Sequence, residues 1–314
     1  MEKNKVILLE LSALKPERID MLVVSALSNF SRSQIQGWIK AGFIKVNQEI
    51  ITKPKHKTSI KDHVKIEVTI AERTLDEAQE MALNILHEDD HILVINKPVG
   101  LVTHPGAGIA DNTLMNGLLF HCPDNKLIPR AGIVHRLDRD TSGVMVIAKT
   151  IEAYNNLVDA FKHRTIEKHY QAIVYGQFKL SKTIDAPIGR HPQQRTKMAV
   201  IQRGKHAISH ITVLRRYTHF SHLKINIETG RTHQIRVHLA HDKHPIVGDK
   251  TYGRKPNYTN LHPDIKAWLL LQETQLLHAH KISFHHPENN DLMTFEAPLE
   301  DNFEQGLTKL NQFD

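Results

Sequence analysis

Apolar positions near the start of the chain recur at helical spacing. In PERIDMLVVSALSNF, Ile19, Leu22, Val23, Ala26 and Leu27 line one face of a predicted helix, and SRSQIQGWIKAG repeats the pattern with Ile35, Trp38 and Ile39. Ser31 is the expected N-cap of the second helix and Gly42 its stop. The β-branched run FIKVNQEIIT then predicts two strands turning near Asn47. From Glu72 to Glu80 charge replaces bulky apolar residues, as in a linker, until HILVINKP begins a strand. GVMVIAKT, HYQAIVYG, HAISHITVL, HLKINIE and KISFHHP have strand character, with helices near 151 to 163 and 232 to 241. The expected organisation is a small module over 1–75, a linker over 76–85 and a larger α+β body over 86–314. No fixed-period repeat is present, which disfavours a solenoid.

A chain of 314 residues, 40% hydrophobic and 24% charged, can fold as one large and one small domain. No run of about 18 apolar residues and no leader pattern occurs, so neither membrane insertion nor export is expected. The lone Cys122 cannot form an internal disulfide, which suits a reducing cytoplasm. The charge of +7 is unevenly placed, since residues 1 to 75 carry 13 Lys/Arg against 8 Asp/Glu. Residues 186 to 227 carry eight Lys/Arg, from Arg190 to Lys224, and no acidic residue. Two separate basic stretches point to one extended polyanion as the partner.

The densest chemical signal is RAGIVHRLDRDTSGVMVIAKT, in which Asp138 stands between Arg136 and Arg139 before an apolar strand. Nearby guanidinium groups favour an ionised carboxylate, able to serve as nucleophile or base at neutral pH. An ordinary salt bridge at a strand end is the bland alternative, so context must decide. His135-Arg136-Leu137-Asp138 followed by Asp140-Thr141-Ser142-Gly143 resembles the signature of the RluA-type pseudouridine synthases. INKPVGLVTHPGAG, EKHYQAIVYG, ETGRTHQIRVHLA and LLHAH continue the resemblance in order over nearly the whole chain.

That resemblance implies a catalytic domain built on a mixed, mostly antiparallel sheet. It implies Asp138 as the catalytic carboxylate, Tyr170 of Lys168-His-Tyr170 packed against the target base, and Arg236 of Gln234-Ile235-Arg236 as the partner of the aspartate. Arg136 takes the gap left by the flipped uridine, and His135, Arg231, His233 and Leu277 complete the base-flipping and substrate-binding set. Base flipping is required physically, because the glycosidic carbon is unreachable inside a stack. The implied reaction breaks the bond from ribose to uracil nitrogen one, turns the base and rejoins it through carbon five. No cofactor or metal is expected, and no G-x-x-x-x-G-K-[ST] or G-x-G-x-x-G run is present.

Arg18-Ile-Asp20, Ser31-Arg32 and Gly42-Phe43-Ile44-x-Val46-Asn47 resemble the small α/β RNA-binding module named after ribosomal small-subunit protein four, with Arg18, Arg32, Lys40 and Lys45 as its expected RNA contacts. Asn47-Gln48 stands where such modules usually have Asn-Gly at the turn. Together the motifs imply 23S rRNA as partner, helix 69 in particular, or a large-subunit assembly intermediate. Alternatives are another rRNA or tRNA site, or a noncatalytic ribosome-assembly protein. A metal-dependent hydrolase using His233, His238 and His241 is disfavoured by the missing H-E-x-x-H pair.

Overall fold

The computed structural model describes residues 4–27, 32–71, 77–106, 109–194, 196–253 and 259–314. The chain divides into two compact units, Met1–Thr74 and Leu75–Asp314.

In the first unit the helices Ile19–Ala26 and Arg32–Lys40 pack beside a four-stranded sheet whose central strand is His63–Ala71. Ile19, Val23, Ile35 and Ile39 from the helices meet Ile44, Val46, Val64 and Ile66 from the strands, so the helical period and the strand alternation converge on one core. The turn at Asn47-Gln48 is made without glycine, with φ of 49° and 71°. The Asn47 side chain secures it, its Nδ2 donating to Asp62 at 2.8 Å and its Oδ1 accepting from the His63 amide at 2.9 Å. The cap assigned to Ser31 lies outside the described residues.

The second unit is built on a nine-stranded sheet. Its main path runs Lys182–Asp185, Ile208–Arg216, Phe220–Ile227, Glu167–Tyr175, Leu277–His285, Ser142–Ala148, Ile92–Lys97 and Ile85–Glu88, with Leu292–Glu296 paired to Leu277–His285 off that path. Every pairing is antiparallel except that between Leu277–His285 and Ser142–Ala148. Residues 92 to 95 and 144 to 148 are buried on both faces: Leu93, Ile95, Met145 and Ile147 enter one core, while Ile92, Val94, Val144 and Val146 enter another beneath the helix Ile151–His163. Double burial explains why these strands read as continuous apolar runs.

The parallel pairing is short, His278 with Ser142 and Ala279 with Gly143. Gly143 has φ 115°, and a Cβ there would stand 2.2 Å from the Ala279 carbonyl oxygen. Only glycine lets these backbones meet. The meeting fixes where the segment carrying Asp138 enters the sheet.

Residues 77 to 84, where a linker is expected, lie along the helix Leu114–His121: the Gln79 amide donates to the Asn116 carbonyl at 3.0 Å, and Asn116 Nδ2 donates to the Glu77 carbonyl at 2.8 Å.

Candidate active site

Asp138 sits on a turn pinned from several directions. The Thr141 amide donates to the Asp138 carbonyl at 3.1 Å, and Thr103 Oγ1 donates to the Leu137 carbonyl at 3.1 Å. Gln275 Nε2 reaches Thr141 Oγ1 at 3.2 Å. The Arg139 carbonyl accepts from the Gly100 amide at 3.0 Å and from Lys97 Nζ at 3.1 Å. Lys97 is fully buried and also donates to the carbonyls of Pro98 and Leu101, at 2.8 and 3.0 Å. An ammonium thus gathers three carbonyls from two loops beneath the aspartate. Burial pulls Lys97 down to about 8, against the opposing pull of Asp140, Asp138 and Glu300.

The arginine that meets Asp138 is distant in sequence. Arg236 Nη1 donates to Asp138 Oδ2 at 3.0 Å, while its Nε and Nη2 grip the two oxygens of Asp249 at 2.8 and 2.9 Å. Both residues of the Arg236–Asp249 pair are buried, and Asp249 Oδ1 also accepts the amides of Thr251 and Tyr252, at 2.8 and 3.0 Å. Burial alone would raise the Asp249 carboxyl, but the Arg236 contacts outweigh it and hold the group ionised. Tyr252 lies over the guanidinium at 5.1 Å, and its hydroxyl accepts the Met198 amide at 2.9 Å. The same hydroxyl shares a hydrogen bond with His233 Nδ1 at 2.8 Å, and His233 Nε2 stands 3.9 Å from Asp138 Oδ2. Asp138 Oδ1 has no hydrogen-bond partner among the described residues.

Tyr170 arrives on the strand Glu167–Tyr175, directly after a register shift between His169 and Tyr170. It is buried, and burial followed by the Asp138 charge pushes its hydroxyl above the usual range, so it stays a phenol. Asp138, Tyr170, Arg236, His233, Arg136 and Leu277 all border one hollow of about 110 Å³. A wider groove of about 570 Å³ adjoins it, sharing Arg136, Tyr170 and Arg231 and adding the cationic side chains of Arg130, Lys162, Arg164 and Lys168.

Several expected residues have further or different occupations. Arg136 and Arg139 flank Asp138 in sequence, yet both are exposed, and the guanidinium that pairs with Asp138 among the described residues is that of Arg236. His135 borders the groove, but its Nε2 accepts the Val146 amide at 3.1 Å and its ring stacks on Phe161 at 4.8 Å. Arg231 donates to the His206 carbonyl at 3.0 Å. In the first unit Arg18 and Arg32 converge on the buried Asp20, with contacts of 2.8 to 3.1 Å, while Lys40 and Lys45 are exposed. The three histidines of the hydrolase alternative do not converge: His238 is buried against Ser209 and the Ala186 carbonyl, whereas His233 faces Tyr252.

Asp249, Tyr252 and Lys97 escaped the sequence reading. A lysine ending an otherwise apolar strand, and an aspartate closing the apolar PIVG run, are the signals that could have exposed two of them.

The sheet and its basic groove define the class of enzymes that isomerise uridine within RNA. The human RNA pseudouridylate synthase domain containing 4 shares the fold, with a TM-score of 0.56, 25% identity, and coverage of 74% of this chain and 94% of that one. Residues 91–241 match the family described as RNA pseudouridylate synthase and residues 17–64 match the S4 domain, and the chain belongs to the RNA pseudouridylate synthase family. It is 42% identical over 295 residues to ribosomal large subunit pseudouridine synthase D of Haemophilus influenzae, covering 94% of this chain and 91% of that one. The protein of the same name from Pseudomonas aeruginosa is 43% identical over 301 residues, 94% of this chain and 92% of that one. Among the described residues no helix is long and apolar enough to cross a membrane.

Proposed function

We propose that this chain converts uridine to pseudouridine in rRNA of the large ribosomal subunit, at helix 69 of 23S rRNA, in the cytoplasm. The observation that carries the reading is the bond from buried Arg236 to Asp138 Oδ2, 3.0 Å long, at the floor of the hollow bordered by Tyr170. Arg236 fixes one carboxylate oxygen and leaves Oδ1 to meet the nucleoside. A uridine must leave its stack to reach that oxygen, and Tyr170 offers its ring face to the extruded base. Arg136, exposed on the rim, is the cation suited to the vacancy. Lys162, Arg164 and Lys168 attract the phosphates on either side. The names of the relatives and the S4 match support a target in large-subunit rRNA, and the geometry of the site supports the chemistry.

Pseudouridine mapping in total RNA from cells with and without the gene tests the target. Loss of signal confined to helix 69 is expected, and retention of every site would refute it. Purified Asp138→Asn tests the chemistry: it should bind RNA and form no pseudouridine.

A further inference from the structure

A third hollow, of about 360 Å³, opens beside the basic groove. Met115, Leu119, Ile128 and Ala131 give it an apolar lining, and Lys126 and Arg130, both exposed, supply positive charge. His104 and Arg130 border both this hollow and the groove, and Arg136, Tyr170 and Arg231 border both the groove and the hollow of Asp138. The three concavities are therefore neighbours, sharing walls. A volume near 300 Å³ is at the small end of ligand sites, the size class of a flat heterocycle.

Two features mark this hollow as more than a packing gap. Arg130, Ala131 and Gly132 are three consecutive residues at positive φ, 55°, 52° and 81°. Such strain persists where the surroundings over-determine it, and here Asn125 Nδ2 clamps the carbonyls of Ala131 and Ala148 at 3.0 and 2.9 Å. The turn sets Arg130 on the wall between hollow and groove. The second feature is His104, whose Nδ1 is buried without a hydrogen-bond partner among the described residues. Burial, then the charges of Arg136 and Arg130, lowers its pKa and keeps the ring neutral, with one donor and one acceptor edge. Turning that ring over breaks no hydrogen bond at Nδ1, so either edge can face a ligand.

The geometry points to a second base-binding site: the hollow between His104, Leu119 and Arg130 receives an unstacked nucleobase that flanks the target uridine in the same RNA. The occupant is a base because the hollow combines the apolar side chains of Met115, Leu119 and Ile128 with a neutral hydrogen-bonding ring, whereas a phosphate would be drawn to the cations of the rim. It belongs to the same strand because the hollow shares the His104 and Arg130 wall with the groove beside Asp138. This inference rests on the RNA-modification reading and deepens it. Holding two bases out of the stack would also let the enzyme read sequence next to its target.

The test uses the full chain and an RNA hairpin spanning the mapped target uridine, with each flanking nucleotide in turn made abasic. One abasic position should weaken equilibrium binding by on the order of tenfold. Leu119→Trp, which fills the hollow, should weaken intact RNA similarly and show no further loss on that abasic RNA. His104→Phe, which keeps the ring's size, should show the same coupling and serves if Leu119→Trp fails to fold. Losses that multiply, rather than merge, overturn the proposal. So does an absence of any abasic effect while Lys126→Gln and Arg130→Gln weaken binding, because the rim would then touch backbone alone. Binding needs no turnover, so an inert protein that still showed the coupling would sink the catalytic reading and leave this one standing.

Discussion

Arg236 is clamped by Asp249 on two nitrogens, at 2.8 and 2.9 Å, and spends a third on Asp138 at 3.0 Å. Asp249 is the more deeply buried carboxylate and makes the bidentate contact, so it determines where the guanidinium points. Asp138 is thereby aimed by a residue that is itself aimed.

Asp249→Ala should destabilise the protein by about 3–5 kcal/mol, because it leaves a buried guanidinium with half its compensation. Thermal unfolding measures this. At a temperature where the variant is folded, turnover should fall by an order of magnitude or more with RNA affinity little changed. A loss of affinity at unchanged turnover would mean that Arg236 serves binding rather than orientation.

Lys97 gives a pH signature at the alkaline end. Its pKa is about 8 in the folded protein against an ordinary 10.5, because burial penalises the ammonium. Between those values the unfolded chain holds a proton that the folded protein has released, so this site's contribution to stability rises with pH, by up to about 3 kcal/mol. Urea unfolding of wild type and Lys97→Met, compared from pH 7.5 to 10.5, should show the difference moving in favour of wild type. A flat difference would contradict it.

Three histidines, His278 buried and His135 and His222 half-buried, predict weakening in acid. Burial holds His135 at about 3 and His222 and His278 at about 4, so all are neutral when folded. Their contribution is complete above the ordinary 6.5 and is lost as pH falls toward 4, since the unfolded chain takes up protons first. His278 joins Ser142 to the Ala297 carbonyl, at 2.8 and 3.2 Å; in the neutral ring Nε2 donates to the carbonyl and Nδ1 accepts the Ser142 hydroxyl. The urea midpoint should drop steeply between pH 6.5 and 4.5, and His278→Gln should reduce that slope.

In the first unit Asp20 gathers Arg18, Arg32 and Gln36; burial alone would raise its carboxyl, but these hydrogen bonds bring it down to about 2. Asp20→Ala should loosen this unit by about 1–3 kcal/mol, a range discounted for the partly exposed arginines. RNA affinity should fall while the single-turnover rate at saturating RNA holds. The reverse pattern would show that residues 1 to 75 are not an RNA anchor.

The sequence by itself determined several of the strands and helices, Ile151–His163 among them, and where Asp138 stands along the chain. Residues 92 to 95 and 144 to 148 are apolar at every step because both faces of those strands are covered, and the helices of the first unit announce themselves by one-sided spacing. Arg136 and Arg139 were the cations visible beside Asp138, because adjacency along the chain is all that residue types can display. The family resemblance implied Arg236 as the partner; only the tertiary structure decided that Arg236 is held in turn by Asp249 and that Lys97 ties the loop beneath. Strand order and the closeness permitted by Gly143 bring those residues together across about a hundred positions, and local propensity carries no record of such meetings.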